Sequence, residues 1–463
     1  MRIAGKRLLA SLPPGPRTPP AIQLLQWIWR PVAFMHGCEE RYGDTFTVRL
    51  AGFPPIVFFS NPDDIRAIFA GDPDILHGGE GSLAVSDIVK RSIFSLDGAA
   101  HQRRRKLVAP PFHTERVQAS AAIILDATLR SIAAWPEGRP FALHPFMQSI
   151  TLEVMLSLLF GSGEVAGSAP LAAALGRLIE KLRSPYVALA PAVLDPLGPR
   201  MRSWCVRRIT HEFDEAVYAT IAARRALAGG EAREDILSLL LGARDEDGEP
   251  MSDRDLRDEL LTFIVAGHET TSTALVWTFR FVLGHSGVRM KIEAELDSAG
   301  VVPPIDASRL ARLDHLDAAV SESLRHRPVA PMVIRLTKAP ATIRGRVFPE
   351  GILLSPCIYL AHHRAGVYSD PEAFKPERFF GRKPDPSEWV PFGAGARRCV
   401  GASLALLEMR VVLAAVLASV SLRLAPQREP DARLRGLTLA PSTDILFVND
   451  GPRPRTSSRV WTF

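Results

Sequence analysis

The chain has 463 residues, 47% of them hydrophobic and 23% charged. This composition excludes a disordered, collagenous or disulfide-rich protein and allows a core large enough to enclose a bulky ligand. The net charge of +6 could attract nucleic acid, an anionic membrane or an acidic protein. The basic residues, however, fall in short runs such as Arg103, Arg104, Arg105 and Lys106 without interleaved aromatics, which argues against nucleic acid.

Residues 1–11 are cationic and only briefly apolar, well short of the roughly 20 apolar residues that a spanning helix needs. No signal-peptide pattern follows, so a cytoplasmic protein without a transmembrane anchor is expected. Residues 1–20 form a proline-rich, extended lead-in, LPPGPRTPP over 12–20. An amphipathic helix is expected over 23–42, then a hairpin of strands 45–50 and 55–60. Asn61-Pro62 opens a short helix, Pro62 standing where helices accept proline.

From about 97 to 283 the pattern is helical, broken at proline- or glycine-rich stretches. The apolar stretch 184–199 suits either a flap over a greasy entrance or a buried connection. Ser252, with Asp255 three residues on, is a capping signal for a helix running to Gly284. Its roughly 30 residues span about 45 Å, enough to cross the molecule. Beyond Leu336, short strands at 347–354, 437–439 and 445–448 mix with helices. No linker or repeat divides the chain, so one domain over 1–463 is expected, mainly α with a smaller β-rich part, and residues 451–463 are expected to form a disordered basic tail.

The four cysteines, Cys38, Cys205, Cys357 and Cys399, form no close pair. They write neither a zinc knuckle nor a redox dithiol and suit a reducing compartment. Only Cys399 has an unusual setting, PFGAGARRCVGASLALL over 391–407. A glycine turn delivers it to a helix start, where backbone N–H groups favour thiolate. Phe392 can pack beside it, Gly401 leaves room, and Arg397 offers a fork for a carboxylate. A buried structural thiol or a nucleophile with a distant base remain alternatives on these residues alone.

Within the long helix lies Ala266-Gly267-His268-Glu269-Thr270-Thr271, an acid beside an alcohol among apolar residues. Thr270 can bond back to the carbonyl of Ala266 and bend the helix there, while Gly267 leaves space for a small ligand. A strained helix with a solvated Glu269 is the plainer alternative.

Phe392, Gly395, Arg397, Cys399 and Gly401 match the signature F-x-x-G-x-R-x-C-x-G, and by it the chain resembles the cytochrome P450 family. The resemblance implies the fold of that family, with the long helix crossing a haem b. It makes Cys399 the axial ligand of the iron, Arg397 a propionate partner, and Glu269 and Thr270 the proton relay of the oxygen-activation motif beside Ala266. Further propionate partners would be His101 and Arg105, from the family's H-x-x-x-R helix, and Arg335. Glu322 and Arg325 resemble its E-x-x-R pair, with Arg378 of the P-E-R-F segment as third member, all structural.

The implied activity is monooxygenation of a lipophilic fatty acid, terpenoid, steroid-like molecule or polyketide by dioxygen. Substrate walls would include Phe263, Ala266, Val329, Val333 and Thr443, and the stretch 83–94. Electrons would come from a separate ferredoxin or flavodoxin with its reductase, and the protein would be monomeric. A haem protein that only rearranges or binds its ligand, a haem-free thiol enzyme and a structural protein are the rival readings.

Overall fold

Pro20 and Pro31 decide how the chain begins. The computed structural model describes residues 12–81, 88–161, 169–182, 198–226, 234–310, 313–381 and 385–454. Where one helix was expected over 23–42 there are two, Pro20–Trp29 and Pro31–Tyr42, each with proline in its first turn. A proline inside a helix lacks the N–H and collides with the preceding turn, so Arg30 leaves helical geometry at φ −139°, ψ 54°. The lead-in lies along the first strand: Thr47 donates its N–H to Pro14 and its hydroxyl, at 2.7 Å, to Pro13.

The hairpin forms as expected, with Thr45–Val48 antiparallel to Ile56–Phe59. It edges a five-stranded sheet in the order Thr45–Val48, Ile56–Phe59, Leu353–Pro356, Arg335–Thr337, Leu76–His77. The expected strand 347–354 is in fact two. Arg346–Phe348 folds back on Ala341–Ile343 through Arg344 and Gly345, both at positive φ as a two-residue hairpin turn requires, and Leu353–Pro356 joins the large sheet. The chain end also departs from expectation. Leu446–Pro452 is a strand, and Arg453 bonds to Ser419 and pairs with Asp297 at 3.0 Å, so residues 451–453 of the expected tail are held in place, while residues 455–463 lie outside the described residues.

The helices make the other part. The central helix, Asp253–Gly284, has 32 residues and starts on the expected cap, Ser252 accepting the N–H of Asp255. Most of its side chains are buried, so the helix runs through the interior. The helix His144–Phe160 packs along it, and the helix Asp314–His326 also lies against it. The helix Ala402–Ser419 is apolar all round because it is surrounded by protein. Among the described residues it alone is long and apolar enough to cross a membrane, and 72% of it is buried. The stretch 184–199 lies largely outside the described residues.

Candidate active site

The cysteine loop closes on itself. Gly393 donates its N–H to Val390, Arg398 to Gly395, and Cys399 to Phe392 at 2.9 Å. Gly393 and Gly395 take φ of +63° and +69°, which glycine adopts without strain. A side chain at Gly395 would also meet the carbonyl oxygen of Phe69 at 2.3 Å. Cys399 then stands three residues ahead of the helix Ala402–Ser419.

Cys399 keeps accessible surface, yet protein surrounds it closely enough that burial pushes its thiol pKa up. Both hold for a sulfur on the wall of an internal space. The expected preference for thiolate is therefore not met by the protein alone. The N–H of Gly401 and the charges of Arg398 and Arg105 act in that direction, but desolvation outweighs them. A cation at the sulfur is what would deprotonate it. Nothing lies within 4 Å of where a Gly401 side chain would stand, so this wall is open there as well.

A basic cluster borders the loop. Arg397 bonds to the carbonyl of Leu96 and, at 2.5 Å, to Asp97. Arg335 is buried beside it, its pKa pushed down to about 10 by burial and by Arg397. His101, on the helix Gly98–Val108, is buried too; desolvation, Arg397 and Arg105 push its pKa down to about 4. Arg105, one turn on, donates to the carbonyl of Arg398 at 2.9 Å. The structure thus gathers His101, Arg105, Arg335 and Arg397, residues as much as 296 positions apart in sequence.

Asp97 was not singled out from the sequence. Standing before a helix, it reads as an ordinary cap, but it makes no cap bond. Its carboxylate instead accepts the N–H groups of Gly78, Gly79 and Glu80 at 2.8–2.9 Å while it holds Arg397. It acts on the His101 imidazole against the guanidinium groups of Arg397, Arg105 and Arg335. The cluster is left with positive charge that further carboxylates would neutralise.

On the central helix, Thr270 donates its hydroxyl to the carbonyl of Ala266 at 2.5 Å, the expected bond, within an uninterrupted helix. Ala266 is exposed although Phe263 and Ile264 before it and His268 and Thr271 after it are buried. An accessible residue in the middle of an interior helix marks an internal space. The other side of this turn is clasped by the helix His144–Phe160, through three residues spaced i, i+3, i+7. Gln148 donates to the Glu269 carboxylate at 2.8 Å. Thr151 bonds to the ring and carbonyl of His268. Met155 comes so close that a side chain at Gly267 would lie 2.7 Å from its sulfur. Glu269 therefore turns toward Gln148 and is not simply solvated. The pairing of Gln148 with Glu269, 121 residues apart, carries no local sequence signal.

The third assembly lies behind the cysteine loop. Glu322 and Arg325 are fully buried and form two bonds, at 2.7 and 2.9 Å. Arg378 reaches Glu322 at 3.4 Å. Arg325 also donates to the carbonyls of His362 and Ala373, and Glu322 accepts the N–H of Lys375. A buried ion pair survives only when its remaining donors and acceptors are met in this way.

The cysteine loop, the central helix and the basic cluster agree with comparison to known proteins. The family model for cytochrome P450 matches residues 13–447. The chain belongs to the cytochrome P450 family. It is 37% identical over 432 residues to the protein named cytochrome P450 135B1 in Mycobacterium tuberculosis, covering 93% of this chain and 90% of that one. With cytochrome P450 138 of the same organism it shares 34% identity over 439 residues, covering 94% and 95%. Among solved structures, cyanobacterial CYP120A1 with retinoic acid bound matches at a TM-score of 0.81 and 23% identity, covering 95% of this chain and 99% of that one. The haem domain of cytochrome P450DA matches at 0.81 and 22%, covering 96% and 98%.

As a P450 the protein is a haem-thiolate monooxygenase and takes haem b. Its residues fit that cofactor: a sulfur on a cavity wall, an accessible Ala266 within the interior helix, open space at Gly401, and a basic cluster short of carboxylates.

The wall residues are placed less uniformly. Phe263 is buried edge-on against Phe112, their centroids 5.1 Å apart, which gives it to the core. Val329 is buried and bonds through its carbonyl to Leu439; Val333 is half-buried; Thr443 is exposed in the turn before the last strand. Of the stretch 83–94, residues 83–87 lie outside the described residues. A separate cavity of about 670 Å³, lined by Phe112, Ser120, Ser157 and Leu404 among others, includes none of the candidate site residues.

Proposed function

We propose that this P450 holds its haem through Cys399 and hydroxylates a lipophilic substrate with electrons from a separate protein. Haem, when bound, supplies reductive activation of dioxygen, helped by electron density from its thiolate ligand. The chain's own residues bind, orient and deliver protons. His101, Arg105, Arg335 and Arg397 pair with the two propionates, which relieves the positive charge that Asp97 alone leaves uncompensated. Phe392 and Gly401 shape the cysteine side, and Ala266 leaves the opposite side clear.

Glu269 and Thr270 handle protons. In this geometry the Thr270 hydroxyl points its proton at Ala266 and Glu269 is held by Gln148. Both must turn toward the space beside Ala266 to work, and each needs only a side-chain rotation. Glu322, Arg325 and Arg378 are structural and hold the support of the cysteine loop.

Substrate contacts come from Ala266, Val329, Val333 and Thr443, which are uncharged and mostly apolar, so a fatty acid, terpenoid, steroid-like molecule or polyketide suits them. The retinoic acid in a structural neighbour is a ligand of this kind. Arg103 and Arg398 are exposed and, with the chain's net charge of +6, suit an acidic ferredoxin or flavodoxin served by its reductase. We read the protein as one cytoplasmic domain acting as a monomer.

The accessibility of Ala266 in the middle of an interior helix carries this reading. The test is the absorption of the reduced, carbon monoxide-bound protein. The wild type is expected to show the strongly red-shifted Soret band of thiolate ligation, and Cys399→Ser to lose it. A wild type that stays colourless after haem supplementation, or a variant that keeps the band, refutes the proposal. A screen of lipophilic acids, terpenes and steroids for water-displacement spectral shifts tests the substrate class.

A further inference from the structure

The helix Asp314–His326 ends on His326, and His363 directly follows the helix Ile358–His362. Their ring centroids are 5.5 Å apart. One nitrogen from each ring and one carboxylate oxygen of Glu372 lie within 4.8 Å of one another. His36, from the helix Pro31–Tyr42, approaches from outside, its Nε2 4.0 Å from the Glu372 carboxylate and 3.3 Å from the Tyr359 hydroxyl. The monooxygenase reaction uses none of these groups.

His363 is the informative member. Its Nδ1 lies 2.9 Å from the carbonyl of Tyr359, which can only accept, so that nitrogen carries the proton. Nε2 is then a bare lone pair on a ring only 7% exposed, and it has no hydrogen-bond partner among the described residues. A buried acceptor left unpaired costs about 1–3 kcal/mol, so a ligand is called for at this nitrogen. Histidines that bind metals are commonly oriented by donating the far N–H to a backbone carbonyl, as here.

We propose that His326, His363 and Glu372, with His36 as the fourth ligand, bind a divalent transition-metal ion, Zn²⁺ matching best. Imidazoles with one carboxylate are a usual donor set for that ion. Zinc–nitrogen bonds of about 2.0–2.1 Å place tetrahedral ligand atoms roughly 3.4 Å apart. His326, His363 and Glu372 must therefore close by roughly 1.4 Å at most, and His36, which stands outside that group, must swing in toward it. Glu372 and His36 are the accessible members, with side chains 65% and 32% exposed, and they provide both the adjustment and the way in.

Loading has an identifiable cost. Nε2 of His326 gives up its 2.9 Å contact with the Glu372 carbonyl. Arg327, which donates to Nδ1 of the same ring at 2.8 Å, must withdraw from a ring N–H and a dication. In return the ion ties two helix ends, the middle of the helix Pro31–Tyr42 and the loop at Glu372 together. That is the region where Arg325 bonds to His362 and Ala373, so the ion would stiffen the support of the cysteine loop.

The test uses haem-loaded, full-length protein treated with EDTA, dialysed and titrated with Zn²⁺ against a chromophoric chelator, with thermal unfolding in parallel. About one Zn²⁺ per chain and a raised Tm are expected. Glu372→Gln and His36→Gln alter accessible side chains and should weaken binding by about tenfold or more. Arg327→Gln removes the competing cation and should tighten it. Glu80→Gln, in the separate group of His77, Glu80 and Asp97, should leave affinity unchanged. The assignment fails if micromolar Zn²⁺ leaves the wild type unloaded, if Glu372→Gln binds as tightly as wild type, or if Glu80→Gln abolishes binding.

Discussion

The Nε2 atom of His362 accepts the backbone N–H of Val390 at 2.9 Å. The carbonyl of the same histidine accepts Nη1 of Arg325 at 2.8 Å. One residue therefore connects the buried Glu322–Arg325 pair to the start of the cysteine loop. Burial pushes its pKa down to about 3, so the ring stays neutral and able to accept throughout the working pH range.

His362→Leu fills the same space without an acceptor and leaves the N–H of Val390 buried and unpaired. A loss of about 1–3 kcal/mol is expected in denaturant unfolding of the holoprotein. Haem transfer to apomyoglobin should also speed up, because the loop carrying Cys399 loses its anchor. Unchanged stability and unchanged haem transfer would disconnect the two.

Glu322→Ala should be more severe. It strands Arg325, which has no accessible surface, and breaking a buried pair from one side costs about 3–5 kcal/mol. Folded, haem-containing protein should then fail to accumulate, measured as Soret absorbance per purified chain. Arg378→Lys should be milder, since Arg378 meets Glu322 by a single 3.4 Å contact. A Glu322→Ala protein that folds and binds haem normally would contradict the structural role.

Thr270→Ala removes the hydroxyl that bonds to the Ala266 carbonyl and nothing that packs the core. Haem content and the carbon monoxide spectrum should match wild type, while product formed per electron falls on the order of tenfold or more and hydrogen peroxide appears instead. Peroxide and product are measured against reductant consumed. Intact coupling would remove Thr270 from the relay.

Glu408, on the helix after the cysteine, is buried with no partner for Oε1 among the described residues, and burial pushes its pKa from 4.5 up to about 8. The folded protein thus keeps a proton that the unfolded chain releases. This group's contribution favours folding least at high pH: stability falls as pH rises from about 4.5 through about 8. Glu408→Gln keeps the shape and cannot ionise, so its Tm at pH 9 should exceed that of wild type by at least about 2 °C, with the advantage gone near pH 5. An equal difference at both pH values would mean that something other than ionisation is responsible.

What could be read without coordinates was local in the chain. The cysteine loop lies within ten residues, so its glycines, arginine and thiol appear together. The cap at Ser252 and the bond from Thr270 to Ala266 span three and four residues. Glu322 and Arg325 share a helix face by spacing alone. The break at Pro31 is equally local, since proline starts the second helix there.

What only the tertiary structure decided depends on distant segments meeting. The clamp of Asp97 on Arg397 crosses 300 residues and the hold of Gln148 on Glu269 crosses 121; no pattern along the chain marks either partner. The surroundings of the thiol were also fixed in three dimensions. A helix start after Cys399 argues for thiolate, but how much protein surrounds the sulfur is a property of the packed molecule, and there desolvation outweighs the local dipoles. Sequence specified the groups that could do the chemistry, and packing determined their charges and partners, because solvation and Coulomb energies depend on distance in space and not on position along the chain.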